Sequence, residues 1–210
     1  APYGGGVVWL DARRSEQLTW RSSAADCGLP GGLDDRHFLP IGALAVDPDS
    51  GIASYDVQVR DDKLVVVRSG RNLYLSDDIE IQLDANLAAD FTSTTLSSDD
   101  YQIGLSTGNF GTIAANAYRW YPRSAEGSLS AVVVKGKQLA DGYTLEAKIP
   151  WTVFGVSPVA GAKYGFAVSV SDDDQTGTAV QQSMISTVAS RKLLNPTTWG
   201  TLVLAPSGGS

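Results

Sequence analysis

Polar and apolar residues alternate with a period of two through one short run after another of this chain, and each run stops at Gly, Asp, Asn or Pro. The pattern marks residues 55–60, 64–68, 79–83, 101–106, 129–134, 143–149, 164–171, 184–188 and 201–204. Successive side chains of a strand point to opposite faces, so runs of this kind bury one face by forming sheets. Their number and spacing predict an all-β fold, an antiparallel β-sandwich. The short stretch 61–63 between the first two runs predicts a hairpin. Helical periodicity is almost absent; a single turn is expected after Pro150, which suits a first helical position.

With 210 residues, 43% of them hydrophobic, the chain can bury one core but hardly two. Residues 1–28 are less regular. Within them 7–11 and 17–21 read as strands, which predicts an extension in the form of a hairpin added to the same domain. Residues 29–204 are expected to be the sandwich and 205–210 a linker tail. The start at Ala1 without Met, together with that tail, suggests a piece of a larger protein.

The formal net charge of −7 argues against nucleic acid, whose binders concentrate Lys and Arg. No apolar run approaches the roughly 20 residues of a membrane-spanning helix, so no membrane partner is expected. Cys27 has no second cysteine to pair with and reads as an inert thiol. An acidic, Lys-poor chain rich in Ser, Thr and Gly suits a secreted or cell-surface protein.

The most loaded stretch is Ser76-Asp-Asp-Ile-Glu-Ile-Gln-Leu-Asp84, with polar Asp78, Glu80, Gln82 and Asp84 on one face of a strand. Alternating acids of this kind superficially resemble the catalytic strand of family 16 glycoside hydrolases. Here the third position is Gln82, and an amide cannot protonate a leaving sugar oxygen. Neighbours on one strand face also lie about 6.8 Å apart, wider than the about 5–5.5 Å of a retaining pair. A hydrolase is therefore the weaker reading, and polar groups facing solvent are the plain alternative.

A set of stretches in order is similar to family 9 carbohydrate-binding modules. It comprises Tyr55-Asp-Val-Gln-Val-Arg60 with Leu64-Val-Val-Val67, the acidic strand, Asp99-Asp-Tyr-Gln-Ile103, Gly142-Tyr-Thr-Leu-Glu-Ala-Lys-Ile-Pro-Trp151, Gly165 to Asp172, and Asn195-Pro-Thr-Thr-Trp-Gly-Thr-Leu-Val-Leu204. The resemblance spans about residues 30–204. It implies a DOMON-like sandwich that binds a polysaccharide or oligosaccharide without catalysis and attaches a larger secreted or surface protein to it. Other domains of that parent protein are then further partners.

In the family a sugar lies between two aromatic rings beside a carboxylate. By position the first ring falls on Tyr74 and the carboxylate on Glu80, with Asp77 matching in spacing. The second ring falls on Leu193 and the expected basic residue on Gly104, so half of the clamp is missing. Gln102, Arg191 and Asn195 are the candidate helpers. Tyr118 and Trp120 share one face of an extended segment and offer a second aromatic platform. Trp151 and Trp199 are expected in the core.

The resemblance also implies structural Ca²⁺, for which Asp99, Asp100 and Asp172 in oxygen-rich turns are the candidate ligands. The wider DOMON-like group includes haem domains that use a Met–His or Met–Lys pair. Met184 and His37 make the pair formally available, yet a lone Met in an alternating strand reads as core filler, and haem is not expected. A haem electron-transfer domain, a hydrolase and a structural spacer are the alternatives to the carbohydrate-binding module.

Overall fold

A computed structural model describes residues 52–61, 63–188 and 191–204, together with the backbone of three strands nearer the N-terminus. Cys27, His37 and the tail 205–210 lie outside the described residues. In chain order the strands are Trp9–Asp11 (β1), Gln17–Leu18 (β2), Ile41–Asp47 (β3), Ile52–Arg60 (β4), Asp78–Asp84 (β5), Asp100–Ser106 (β6) and Asn116–Tyr121 (β7). Then come Gly127–Ser128 (β8), Val133–Leu139 (β9), Gly142–Pro150 (β10), Lys163–Asp172 (β11), Ser183–Ser186 (β12) and Gly200–Val203 (β13).

Two antiparallel sheets result. The larger runs β2-β1-β13-β11-β5-β6-β7-β8, with β12 sharing the edge of β11 beside β13; the smaller runs β3-β4-β10-β9. Among the described residues, 3-10 turns supply the helical structure.

Alternation decides what lies between the sheets. Ile79, Ile81 and Leu83 of β5, Ile103 and Leu105 of β6, and Phe166, Val168 and Val170 of β11 pack against Tyr55, Val57, Tyr143, Leu145 and Ile149 of the smaller sheet. Pro150 caps the 3-10 turn Trp151–Phe154, which drives Trp151 and Phe154 into this core. Trp199 is equally enclosed, at 1% exposure, and its indole N–H donates to the carbonyl of Lys192.

Several expected strands are placed differently. Residues 64–68 form no strand and no hairpin with β4, whose partners are β3 and β10. Their amides are satisfied by side chains instead: Val65 N–H donates to the Asp77 carboxylate, and those of Val67 and Arg68 donate to Ser76 Oγ at 3.1 Å. Residues 129–132 turn, and the strand begins later as β9, an edge strand with exposed Val133, Lys135 and Lys137. The expected run 184–188 is the shorter β12.

Candidate functional site

The even residues of β5 point away from the inter-sheet core, yet Asp78, Glu80, Gln82 and Asp84 are all buried. A second, smaller layer covers this outer face. The 3-10 turn Gly70–Leu75 lies across β5, β6 and β7 and presses Leu73 inward to 0% exposure. From β7 comes Trp120, only 6% exposed. Trp120 is the extra residue of a β-bulge, since Gln102 pairs with Tyr121 and Ile103 with Arg119; a bulge re-aims the side chain it carries.

Gly104, which faces Glu80 on one side and Tyr118 on the other, makes the bulge productive. A Cβ there would lie 2.3 Å from Trp120 Cη2 and 2.7 Å from Leu73 Cδ2. The indole thus fills the room above Gly104, and its N–H donates to the Arg71 carbonyl at 2.8 Å.

Glu80 is the hub of a closed polar network. Its Oε2 accepts from Gln82 Nε2 and Gln102 Nε2, both at 3.1 Å, and from Arg191 Nη2 at 3.0 Å. Arg191 also donates from Nε to Gln82 Oε1 at 3.2 Å and from Nη1 to the Met184 sulfur at 3.0 Å. Glu80 lies on the outer face of the sheet, yet at 3% exposure it is covered, with Arg191 folded down onto it. Burial raises the Glu80 carboxyl, while the Arg191 charge and the hydrogen bonds from Gln102, Arg191 and Gln82 pull it back. Burial lowers Arg191, opposed by Glu80.

The other expected contacts are distributed around this hub. The Tyr74 ring is exposed at 39% and stands edge-on to Trp120, centroids 6.1 Å apart. Tyr118 meets the same indole in a tilted contact, centroids 6.0 Å apart. Asp77 faces inward as a fastener: Oδ1 accepts from Asp173 N–H at 2.7 Å and Oδ2 from Val65 N–H. Asn195 Oδ1 caps the turn Pro196–Thr198 through Thr197 N–H at 3.1 Å. Leu193, at the position of the missing ring, is exposed. Sequence reading did not include Gln82, Arg71 or Glu126 among site residues; only the strand parity of Gln82 hinted at its place.

Burial pushes the Asp77 carboxyl up to about 8, against the lowering effect of its two backbone hydrogen bonds. A raised acid binds its proton more tightly in the folded state. The stability it lends is therefore full below its ordinary value of 3.8 and lost as pH climbs through about 8. Thermal melts across that window should show a falling melting temperature, and Asp77→Asn should flatten the slope. An unchanged slope in the variant contradicts this role.

Two acidic clusters bring in the expected metal candidates. Asp84, Asp90 and Asp99 offer carboxylate oxygens within 4.8 Å of one another, as do Asp61, Asp172 and Asp174. In the first, both Asp90 oxygens and Asp99 Oδ2 are buried without a hydrogen-bond partner among the described residues. Such oxygens fit a hard cation. Asp100 Oδ2 accepts from Ser97 N–H at 2.7 Å, and burial raises this carboxyl to about 6. Near the second cluster Lys63 Nζ already donates to the Asp174 carbonyl. Of the haem pair, Met184 faces Arg191 and His37 lies outside the described residues.

Two face-to-face antiparallel sheets with an aromatic and polar layer on one outer face make a β-sandwich. The family described as carbohydrate family 9 binding domain-like matches residues 55–207, and the chain belongs to it. A family 9 carbohydrate-binding module from Caldicellulosiruptor kristjanssonii, solved with cellotriose, is similar in fold, with a TM-score of 0.61 and 22% identity over 100% of this chain and 91% of that one. A second structure of a family 9 module from that organism, with glucose, gives 0.58 and 22% over 90% and 96%. No curated protein matches the chain.

Proposed function

We propose that this domain is a non-catalytic carbohydrate-binding module that holds a larger secreted or surface protein on a polysaccharide. The observation that carries the reading is the exposed Tyr74 ring standing beside a sheet face whose polar groups are already fixed in place. A ring covers the apolar face of a pyranose, while rigid donors at its rim select hydroxyl groups from water. In this reading Arg191 and Gln102, held on Glu80 just beneath the surface, supply those donors when a sugar displaces part of their cover, and Glu80 acts through them as a positioning residue. Binding of this kind raises the local concentration of the parent protein without making or breaking a bond.

A catalytic role finds no support in the geometry, because Gln82 has no proton to give and Glu80 is tied to Arg191. Affinity electrophoresis on soluble glucans, xylans and mannans tests the function. Retardation by at least one glycan without release of reducing sugar is the expected result; indifference to every glycan, or sugar release, overturns it.

The same reading includes a structural Ca²⁺ held by Asp84, Asp90 and Asp99 at the base of the β5–β6 loop. The ion would neutralise three clustered carboxylates and pin the loop. At a hundredfold excess over its Kd, Ca²⁺ is expected to add about 2.7 kcal/mol of stability. Differential scanning calorimetry with Ca²⁺ and with chelator reads this directly, and Asp90→Asn should erase the difference. Identical melts in Ca²⁺ and chelator exclude the site.

A further inference from the structure

The aromatic surface does not end at Tyr74. Glu80, Gly104, Tyr118 and Ser128 form one cross-strand row from β5 to β8, so Tyr118 continues the platform toward the sheet edge. The Tyr118 hydroxyl donates to Glu126 Oε1 at 3.1 Å, and Glu126 is held by Arg71 at 3.1 Å and Arg123 at 3.0 Å. These anchors fix the phenol while both guanidiniums remain largely exposed, at 68% and 60%. At the other side of the ring, a Cβ on Gly70 would touch Tyr118 Cδ2 at 4.0 Å.

Gly70 lines a cavity of ≈ 350 Å³ together with Ser69, Asn116, Ser128, Ser130 and Val132. That volume is within the range of small-ligand sites. Its polar lining is hydroxyl and amide, with no ionised side chain, which matches a neutral polyol.

We infer that Tyr118 and the cavity beside it form a second subsite for a neutral sugar unit of the same glycan chain. This inference rests on the carbohydrate-binding reading and deepens it. The ligand is an oligosaccharide lying from Tyr74 across Tyr118 toward β8, with its further unit stacked on Tyr118 and its hydroxyls reaching Ser69, Ser128 and Ser130. Buried Trp120 contacts both the exposed Tyr74 ring and the half-buried Tyr118 ring.

Titration calorimetry with ladders of cello-, xylo- and manno-oligosaccharides, from the monosaccharide to the hexasaccharide, tests it. Affinity is expected to rise about tenfold once the ligand is long enough to cover the second ring. Ser128→Trp, at an exposed cavity residue, and Tyr118→Ala should each remove that gain and leave the shortest bound sugar unaffected. Affinity that is flat with length, or variants that weaken short and long sugars equally, overturns the subsite while leaving the module's function intact. Absence of binding at every length in all three ladders overturns both.

Discussion

Glu80→Ala is expected to abolish saccharide retardation and to destabilise the domain by about 3–5 kcal/mol. The loss has two origins. Removing the carboxylate strands the Arg191 guanidinium, whose side chain is only 8% exposed, without its counter-charge. It also frees Gln102 and Arg191 from the positions in which Glu80 holds them, the positions proposed to meet a sugar. Glu80→Gln separates the two effects, since the amide keeps the shape but not the charge. It should retain more stability than the alanine variant and still bind poorly. Replacing the pair together, Glu80→Met with Arg191→Met, should recover most of the stability and none of the binding. Urea denaturation of the three variants checks the energetic part, and a Glu80→Ala variant within about 1 kcal/mol of wild type sinks it.

Gly104→Arg restores the basic residue that the family places on this strand, and it should nonetheless destabilise the domain by about 3 kcal/mol. The position has no room, because the Trp120 ring and Leu73 already occupy the site of any Cβ. Trp120→Ala alone should cost about 3–5 kcal/mol through the cavity it leaves. Combined, the two changes should cost clearly less than their sum, since each removes the obstacle that makes the other harmful. Strict additivity in the cycle rules out the packing described for Gly104. The glycine at 104 and the bulge residue Trp120 of β7 are thus coupled through packing.

Particular residues show how far sequence reasoning reached. Ile79, Ile81 and Leu83 announced both the strand and its inward face, because alternation is a direct consequence of strand geometry. The run Leu64-Val-Val-Val67 misled for a physical reason: apolar β-branched residues suit a strand, but their amides found Asp77 and Ser76 before another backbone. The strand was placed too early, at 129–134, because the edge strand β9 is open to solvent and carries Lys135, Gly136 and Lys137 where a buried strand would carry aliphatics.

At the site, the parity of Glu80 and the proximity of Tyr74 to the sheet were legible. The cover over Glu80 was not, since it depends on a distant residue, Arg191, folding back and on one inserted residue turning Trp120 across Gly104. Spacing along one segment carries no trace of either event. The partner oxygens of Asp99 were equally hidden, because Asp84 and Asp90 stand well before it in the chain and meet it only when the loop closes.

The cationic rim of β9 bears on how copies behave when they gather on a polymer. Unpaired amides and carbonyls along an open edge invite another strand to join. Lys135 and Lys137 place ammonium groups along that border, so two molecules brought rim to rim repel one another. Modules crowded side by side are then kept from knitting together into aggregates.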